Sequence, residues 1–358
     1  MGRGLIAEPN WVNKVQFGQE KLLRKCISCN IGCADHRIAK GLPIRCTVNP
    51  DVIGEDEYKH HRLKNKIRLT VIGGGTAALE AACSAAEIGA EVNLYEQKSY
   101  LGGLAHQIAQ LPDKKRIDDY VNYLKQRASL LPNLKINLNQ KADLETIIHQ
   151  QTDMIVNASG AQPFLPPIEG LQAAHAASNS QVFDIFDLLK NLAAFQEKNQ
   201  QILIIGGGAV GLDVMEYFTK HCAAKVTMVE MLPEIGRDLD IVTKFGMKEL
   251  LDKYQVKQFT QTKLKSISNS KAVVLQAGKQ LELEFDKVFI CLGMRSQAPL
   301  MPTLEKYSLE QGISLTNIGD SKQARRIFEG TQEARQILNE VHLVDQRKSK
   351  SMHLEHNY

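Results

Sequence analysis

The apolar and small residues of this chain fall into the same order of runs twice. Residues 66–72 are mostly apolar and β-branched and lead into Gly73-Gly-Gly75-Thr-Ala-Ala78; a run of small apolar residues to Ile88 follows, closed by Gly89. That order predicts a strand, a tight turn and a helix with Gly89 as its C-cap. Residues 91–96 read as the next strand and end on Glu96, 23 residues after Gly73. From Gln201 the order returns: strand, Gly206-Gly-Gly208-Ala-Val-Gly211, a helix over 212–221, and a strand ending on Glu230, 24 residues after Gly206.

The remaining periodicities are simpler. Residues 113–127 place Ile117, Tyr120, Val121 and Leu124 on one helical face, and residues 13–24 read as one amphipathic helix. The strand at 153–160 ends in Gly160, and the one at 286–293 echoes it with Gly293. Between them, residues 263–285 alternate in three short runs, which predicts a small β-meander. The turn at Gly319-Asp320 precedes a closing helix over 326–340, and the basic end from Arg347 reads as a disordered tail.

A dinucleotide-binding βαβ unit requires the repeated order. Gly73 makes the tight turn, and Gly75 lets the backbone approach a pyrophosphate. Ala78 is small enough for helix and strand to touch, and Glu96 accepts from a ribose hydroxyl. The helix N-terminus brings amide donors and the positive end of its dipole to the phosphates. Gly206, Gly208, Gly211 and Glu230 hold the same places in the second unit. One glycine motif alone is weak, but two complete ones with strand, helix and acid in place set the fold class as α/β with two Rossmann-like domains. Two such units serve two dinucleotides, the natural pair being a flavin and a nicotinamide.

Ahead of the first unit, Cys26, Cys29, Cys33 and Cys46 are spaced C-x2-C-x3-C-x12-C on a segment that Gly32, Gly41, Pro43 and Pro50 mark as loop-rich. Four thiolates this close suit a [4Fe–4S] cluster or a structural zinc. The redox body downstream gives an electron-carrying cluster something to do and favours it. Cys83, Cys222 and Cys291 are isolated and read as buried small hydrophobes. His36 and His106 read as solvated or structural. Seven cysteines, four of them clustered, favour a reducing compartment over a disulfide framework. A net charge of +4 is too mild for a nucleic-acid partner, and the longest apolar run, 202–212, is too short to span a bilayer. The amino-terminal residues lack the apolar core of a signal peptide, so the cytoplasm is expected.

The order of cysteine quartet, GGGxAA, second-strand Glu, Leu-Gly-Gly, Ala-Ser-Gly, GGGAVG, Val-Glu-Met-Leu and Ile-Gly-Asp resembles the C-terminal half of 2,4-dienoyl-CoA and 2-enoate reductases. These are NAD(P)H-dependent enzymes of the old yellow enzyme group that contain FMN, FAD and an iron–sulfur cluster. The resemblance implies a glutathione-reductase-like pair of domains, one inserted in the other. By it, the four cysteines hold [4Fe–4S], and Gly73, Gly75, Ala78, Glu96, Gly103, Gly160 and the Gly319-Asp320 turn hold FAD. Gly206, Gly208, Gly211 and Glu230 hold the nicotinamide dinucleotide. The implied domains are a barrel remnant over 1–25, a cluster segment over 26–64, an FAD domain over 65–175 and 286–345, an NAD(P) domain over 176–285 and a tail over 346–358.

This chain departs from that pattern in three ways. Residues 1–25 look like the end of the family's FMN-binding TIM barrel, with Gly2-Arg3 near the FMN phosphate, while the barrel and its substrate site are absent. FMN would then belong to a separate barrel domain or partner polypeptide, and no catalytic acid can be assigned here. If so, the apolar face of residues 1–25 should be exposed or covered by a partner. The second departure is Glu230, which accepts from a free ribose 2′-hydroxyl and repels a 2′-phosphate, favouring NADH over the NADPH typical of dienoyl-CoA reductases. Thr76 and Ala78 in place of Pro and Gly are the third, and a tolerant motif absorbs them.

The expected function is an electron-input module passing electrons from NADH through FAD and the cluster to an FMN barrel that reduces an enoyl double bond. The alternatives are a stand-alone NADH:acceptor flavoprotein reductase and a truncated remnant without catalysis. A homo-oligomer stays open.

Overall fold

The computed structural model describes residues 2–52 and 62–355, and only the helical backbone from residue 351 onward. His60 and His61 of the expected linker therefore lie outside the described residues. The chain divides into two compact units, one of Met1–Ala109, Lys114–Ala161 and Ser296–Tyr358, the other of Gln110–Asp113 and Gln162–Arg295. The chain thus crosses between units at 161/162 and 295/296, where the sequence reading drew its boundaries at 175/176 and 285/286.

The first unit is built on a five-stranded parallel sheet in the order Ser314–Asn317, Met154–Asn157, Arg68–Ile72, Glu91–Tyr95, Leu134–Asn137. Leu69 of the central strand stands opposite Val92 on one side and Met154 on the other. Leu69, Val71, Met154, Ile155 and Val156 are all buried, as in a parallel sheet covered on both faces. The helix Thr76–Glu87 runs out of the central strand, and its buried residues Ala78, Ala81, Ala82 and Ala85 are small enough for close packing. The long helix Ile327–Glu355 packs along it. The helix Arg116–Ser129 buries Tyr120, Val121 and Leu124, the face its periodicity predicts.

The second unit repeats the plan, with parallel order Val182–Phe183, Lys287–Ile290, Gln201–Ile205, Lys225–Val229, Lys257–Phe259. Its helix Ala209–His221 follows the second glycine turn. The expected meander is present as three antiparallel strands, Thr262–Ile267, Lys271–Gln276 and Lys279–Glu284, with a register shift between Leu264 and Ser266.

Three expectations need correcting. Residues 13–24 are not one helix: Trp11–Gln16 is helical, Gly18 turns the chain with φ +67°, and a 3₁₀ turn follows at Glu20–Leu22. A left-handed glycine ends a helix at low steric cost, and the amphipathic spacing of the residues beyond it is accidental. The basic end is not a disordered tail over its described residues, since the closing helix continues to Glu355; residues 356–358 lie outside the described residues. Two of its basic residues have partners, Lys348 Nζ pairing with Asp153 at 2.7 Å and Arg347 donating to Ser314 Oγ at 3.1 Å. The cysteine segment, read as loop, carries a nine-residue π-helix, Ile31–Ala39. On residues 1–25, Val12 is 64% and Phe17 72% exposed, while Ala7 and Leu23 are buried. Among the described residues no helix is long and apolar enough to cross a membrane.

Candidate functional site

Each glycine turn packs so that one glycine is sterically required and another faces open space. At Gly73, φ is +109° and a Cβ would lie 2.3 Å from the Ala158 carbonyl oxygen. At Gly206, φ is +108° and a Cβ would lie 2.2 Å from the Cys291 oxygen. A Cβ at Gly211 would lie 2.0 Å from the Gly206 oxygen, so the second helix needs glycine where the first accepts the buried Ala78. Gly75 and Gly208, by contrast, are extended N-cap residues with nothing within 4 Å of a Cβ. The glycines that face space are the ones whose backbone a pyrophosphate would approach.

Both glycine helices also start without a side-chain cap and without an acid in the first turn. The helices after Asp143, Asp184 and Asp240 are each closed by their own carboxylate. The first-turn amides of the two glycine helices therefore stay open to an anionic ligand.

Glu96 and Glu230 stand in matching places. Gly74 N–H donates to Glu96 Oε2 at 2.7 Å and Lys98 N–H to Oε1 at 2.7 Å. Gly207 N–H donates to Glu230 Oε2 at 2.5 Å and Leu232 N–H to Oε1 at 2.7 Å. Each carboxylate is thereby held at the end of its strand beside its glycine turn, with lone pairs left for a ribose hydroxyl.

The first unit gathers its other expected residues around the same helix start. Gly102 bridges to Gly75, and a Cβ on Gly103 would sit 3.0 Å from Gly75 Cα. Gly319, φ +62°, packs on Ala77 in the first turn of the helix, where a Cβ would be 3.0 Å away. Its N–H donates to Glu333 Oε2 at 2.8 Å, and Arg325 N–H donates to Asp320 Oδ1 at 3.0 Å. Burial raises the Asp320 carboxyl above its ordinary range. Gly160 also has φ +89° and open space at its Cβ position, and its carbonyl accepts from Gln297 N–H at 3.0 Å. Glu333 is a supporting residue that the sequence does not disclose, because it lies in an ordinary amphipathic helix.

The four cysteines line one pocket together with Arg3, Ile6, Ile27, Asn30, Gly32, Thr47 and Val48. Ser28 and Asn30 turn the chain with φ +57° and +58°, and the π-helix carries Cys33. Cys46 is brought in by a backbone clasp: Arg45 N–H donates to the Gly32 carbonyl at 2.6 Å, and a Cβ on Gly32 would lie 2.8 Å from Arg45. Burial pushes the Cys29 and Cys46 thiols up, and charge on neighbouring cysteines adds to it. Opposing this, Ile31 N–H points at the Cys29 sulfur and the Val48 and Asn49 amides point at the Cys46 sulfur. Ser28 N–H reaches Cys26 Sγ at 3.4 Å, and the Thr47 hydroxyl lies 3.0 Å from Cys29 Sγ. Amides aimed at sulfur stabilise thiolates that carry a metal centre. Thr47 was missed at the sequence level, although its place next to Cys46 was the signal.

The spread of these sulfurs bears on which centre fits. Four thiolates on one zinc ion at 2.3 Å stand about 3.8 Å apart, the edge of a tetrahedron. Among the described residues, the set of three or more ligand side chains with donor atoms all within 4.8 Å of one another is His175, Asp184 and Asp187, not the cysteines. Sulfurs splayed wider than one zinc allows suit a cluster whose irons each take one thiolate. The His175 set is explained otherwise, because Asp184 and Asp187 form the capping box of the helix Ile185–Lys190. Of the other cysteines, Cys83 and Cys222 lie buried in or just after helices and Cys291 just after a strand, and burial pushes the Cys83 thiol up to about 12.

The family model for pyridine nucleotide-disulphide oxidoreductases matches residues 68–317 of this chain. An NADH oxidase from Thermoanaerobacter brockii is 34% identical over 342 residues, 94% of this chain and 50% of that protein. A bilirubin reductase from Mediterraneibacter gnavus is 30% identical over 324 residues, 89% of this chain and 47% of that protein. Among solved structures, a 2-naphthoyl-CoA reductase complex with 2-naphthoyl-CoA matches with TM-score 0.81 and 26% identity, covering 93% of this chain and 49% of that one. The chain spans about half the length of these relatives.

Proposed function

Since this chain belongs to the pyridine nucleotide-disulphide oxidoreductase family, whose members use FAD and NAD(P)H, we propose that it is the electron-input module of an enoate- or dienoyl-CoA-reductase-like enzyme. In this reading, FAD lies on the first glycine turn and NADH on the second. Cys26, Cys29, Cys33 and Cys46 hold a [4Fe–4S] cluster that hands electrons to an FMN-binding TIM barrel, on this or another polypeptide. The barrel then reduces an enoyl double bond. One observation carries the reading: four thiols line a single pocket in the same compact unit as the first glycine turn, with backbone amides aimed at three of them, Cys26, Cys29 and Cys46. Held in these places, FAD would supply hydride acceptance from NADH and single-electron release, and the four cysteines would hold a [4Fe–4S] cluster able to carry one electron at a time.

The residues of the chain do the rest. The open amides of residues 76–78 and 209–211 bind phosphate, and Glu96 and Glu230 orient the riboses. Glu230 repels a 2′-phosphate, which supports NADH as the donor. The exposed Val12 and Phe17, and relatives about twice as long, support a barrel-bearing partner or domain.

Purification without oxygen followed by NADH titration tests the proposal. Bleaching of a flavin band together with a broad iron–sulfur absorbance is the expected result. A flavin that NADH leaves oxidised, or a chain that carries zinc in place of iron and sulfide, overturns it.

A further inference from the structure

A row of alternating buried charges runs from the cysteine segment into the core of the first unit. Arg24, two residues before Cys26, has a guanidinium nitrogen 3.8 Å from Asp51 Oδ2, and Arg335 on the closing helix lies 3.4 Å from Asp51 Oδ1. Arg335 reaches Glu80 of the first glycine helix at 3.3 Å, and Arg127 meets the same carboxylate at 2.9 Å. Glu80 is fully buried, and the side chains of Arg24, Asp51 and Arg335 are largely so. Removing one member leaves its partners as uncompensated buried charges, so the row specifies an arrangement more than it adds net stability.

Asp51 stands where that row meets the pocket. It follows Cys46, Thr47 and Val48, which form one wall. Its own N–H donates to Asn49 Oδ1 at 3.2 Å, and Asn49 Nδ2 donates to the carbonyl of Ile6, another residue lining the pocket, at 2.8 Å. Arg24 Nε donates to the adjacent Ala7 carbonyl at 2.9 Å. The closing helix holds the same wall a second time, Gln332 Nε2 donating to the Cys46 carbonyl at 3.3 Å. One carboxylate thus joins the stretch leading into Cys26, the stretch leaving Cys46 and the helix packed on the dinucleotide fold.

We propose that Asp51 is the positioning residue of the cysteine pocket, holding the Cys46 wall in register with the Cys26–Cys33 segment by bridging Arg24 to Arg335. The inference rests on the reading that the four cysteines hold an iron–sulfur centre. Groups that hold metal-ligating side chains in place from outside set metal affinity without touching the metal.

The test compares the full chain with Asp51→Asn and Asp51→Glu after anaerobic reconstitution, measuring iron, sulfide and FAD per chain. In Asp51→Asn, retention of iron and sulfide against a chelator should fall about tenfold while FAD stays at the unsubstituted level. Asp51→Glu, which keeps the charge, should restore most of it. Unchanged iron retention overturns the proposal. So does joint loss of iron and FAD, which would make Asp51 a general brace of the unit. An unsubstituted chain that takes up no iron refutes the cluster reading instead. Alkylation by iodoacetamide, followed by mass spectrometry on the metal-free chains, then decides the role of Asp51. Cys46 modified several-fold faster in Asp51→Asn, with Cys83 unchanged, supports positioning, and equal rates at Cys46 overturn it.

Discussion

Gly73 and Gly75 lie two positions apart and should respond oppositely to substitution. A methyl at Gly73 would collide with the Ala158 carbonyl on a backbone that side chains rarely adopt, so Gly73→Ala should lose about 3 kcal/mol or more in chemical denaturation. Gly75→Val puts its side chain into open space, so the fold should survive while FAD content after purification drops sharply. An FAD content unchanged in Gly75→Val would count against a pyrophosphate at that turn. On the cysteine side, Cys33→Ser should abolish iron and sulfide binding and leave FAD and its reduction by NADH in place. Loss of FAD with the cluster would show that the two sites are not separable. At Glu230, replacement by Ala removes the charge that repels a 2′-phosphate. The ratio of NADPH to NADH turnover in dye reduction should then rise about tenfold or more.

At the scale of elements, the parts written by local rules were legible and the parts set by long-range partners were not. The glycine strands, their helices, the closing acids and the meander each follow from a short pattern, and the structure has them where the pattern puts them. The apolar spacing of residues 13–24 suggested one helix because periodicity counts positions and not the left-handed turn at Gly18. The basic end looked disordered because its composition is polar, yet partners near residues 64–66, 153 and 314 hold it as helix. Asp345 shows how: its carboxylate accepts from Lys64 N–H at 3.1 Å and from Asn65 N–H at 2.8 Å, contacts some 280 residues away in sequence. Asp345→Ala leaves those part-buried amides without their acceptor, and should lower stability by about 1 kcal/mol in denaturant titration. In the candidate site, the cysteines, glycines and acids could be named in advance. Glu333, Gln332 and Asp51 could not, since each matters only through a partner that the fold supplies.

For the molecule as a whole, the buried charge at Glu80 makes the first unit sensitive to acid. Burial alone would push the Glu80 carboxyl up, but Arg127 and Arg335 beside it hold it down at about 2, against an ordinary value of 4.5. The unfolded chain takes up this proton more readily than the folded one. The contribution is therefore complete above pH 4.5 and is lost as the pH falls towards 2. Thermal unfolding of the unsubstituted chain should weaken across that window, and Glu80→Gln should flatten that part of the profile while lowering stability at neutral pH.

The sheet of the first unit also sets a timetable for synthesis. Its edge strand Ser314–Asn317 pairs with Met154–Asn157 across a gap of 160 residues, and the whole second unit apart from Gln110–Asp113 lies within that gap. At ribosomal rates of 5–20 residues per second the gap takes on the order of ten to thirty seconds to fill. Throughout it, the first glycine turn exists without Gly319 and without the long helix that packs behind it. The strands of the second unit, Val182 to Ile290, all emerge meanwhile. The unit whose central strands emerge first is thus completed only after the strands of the second unit have emerged.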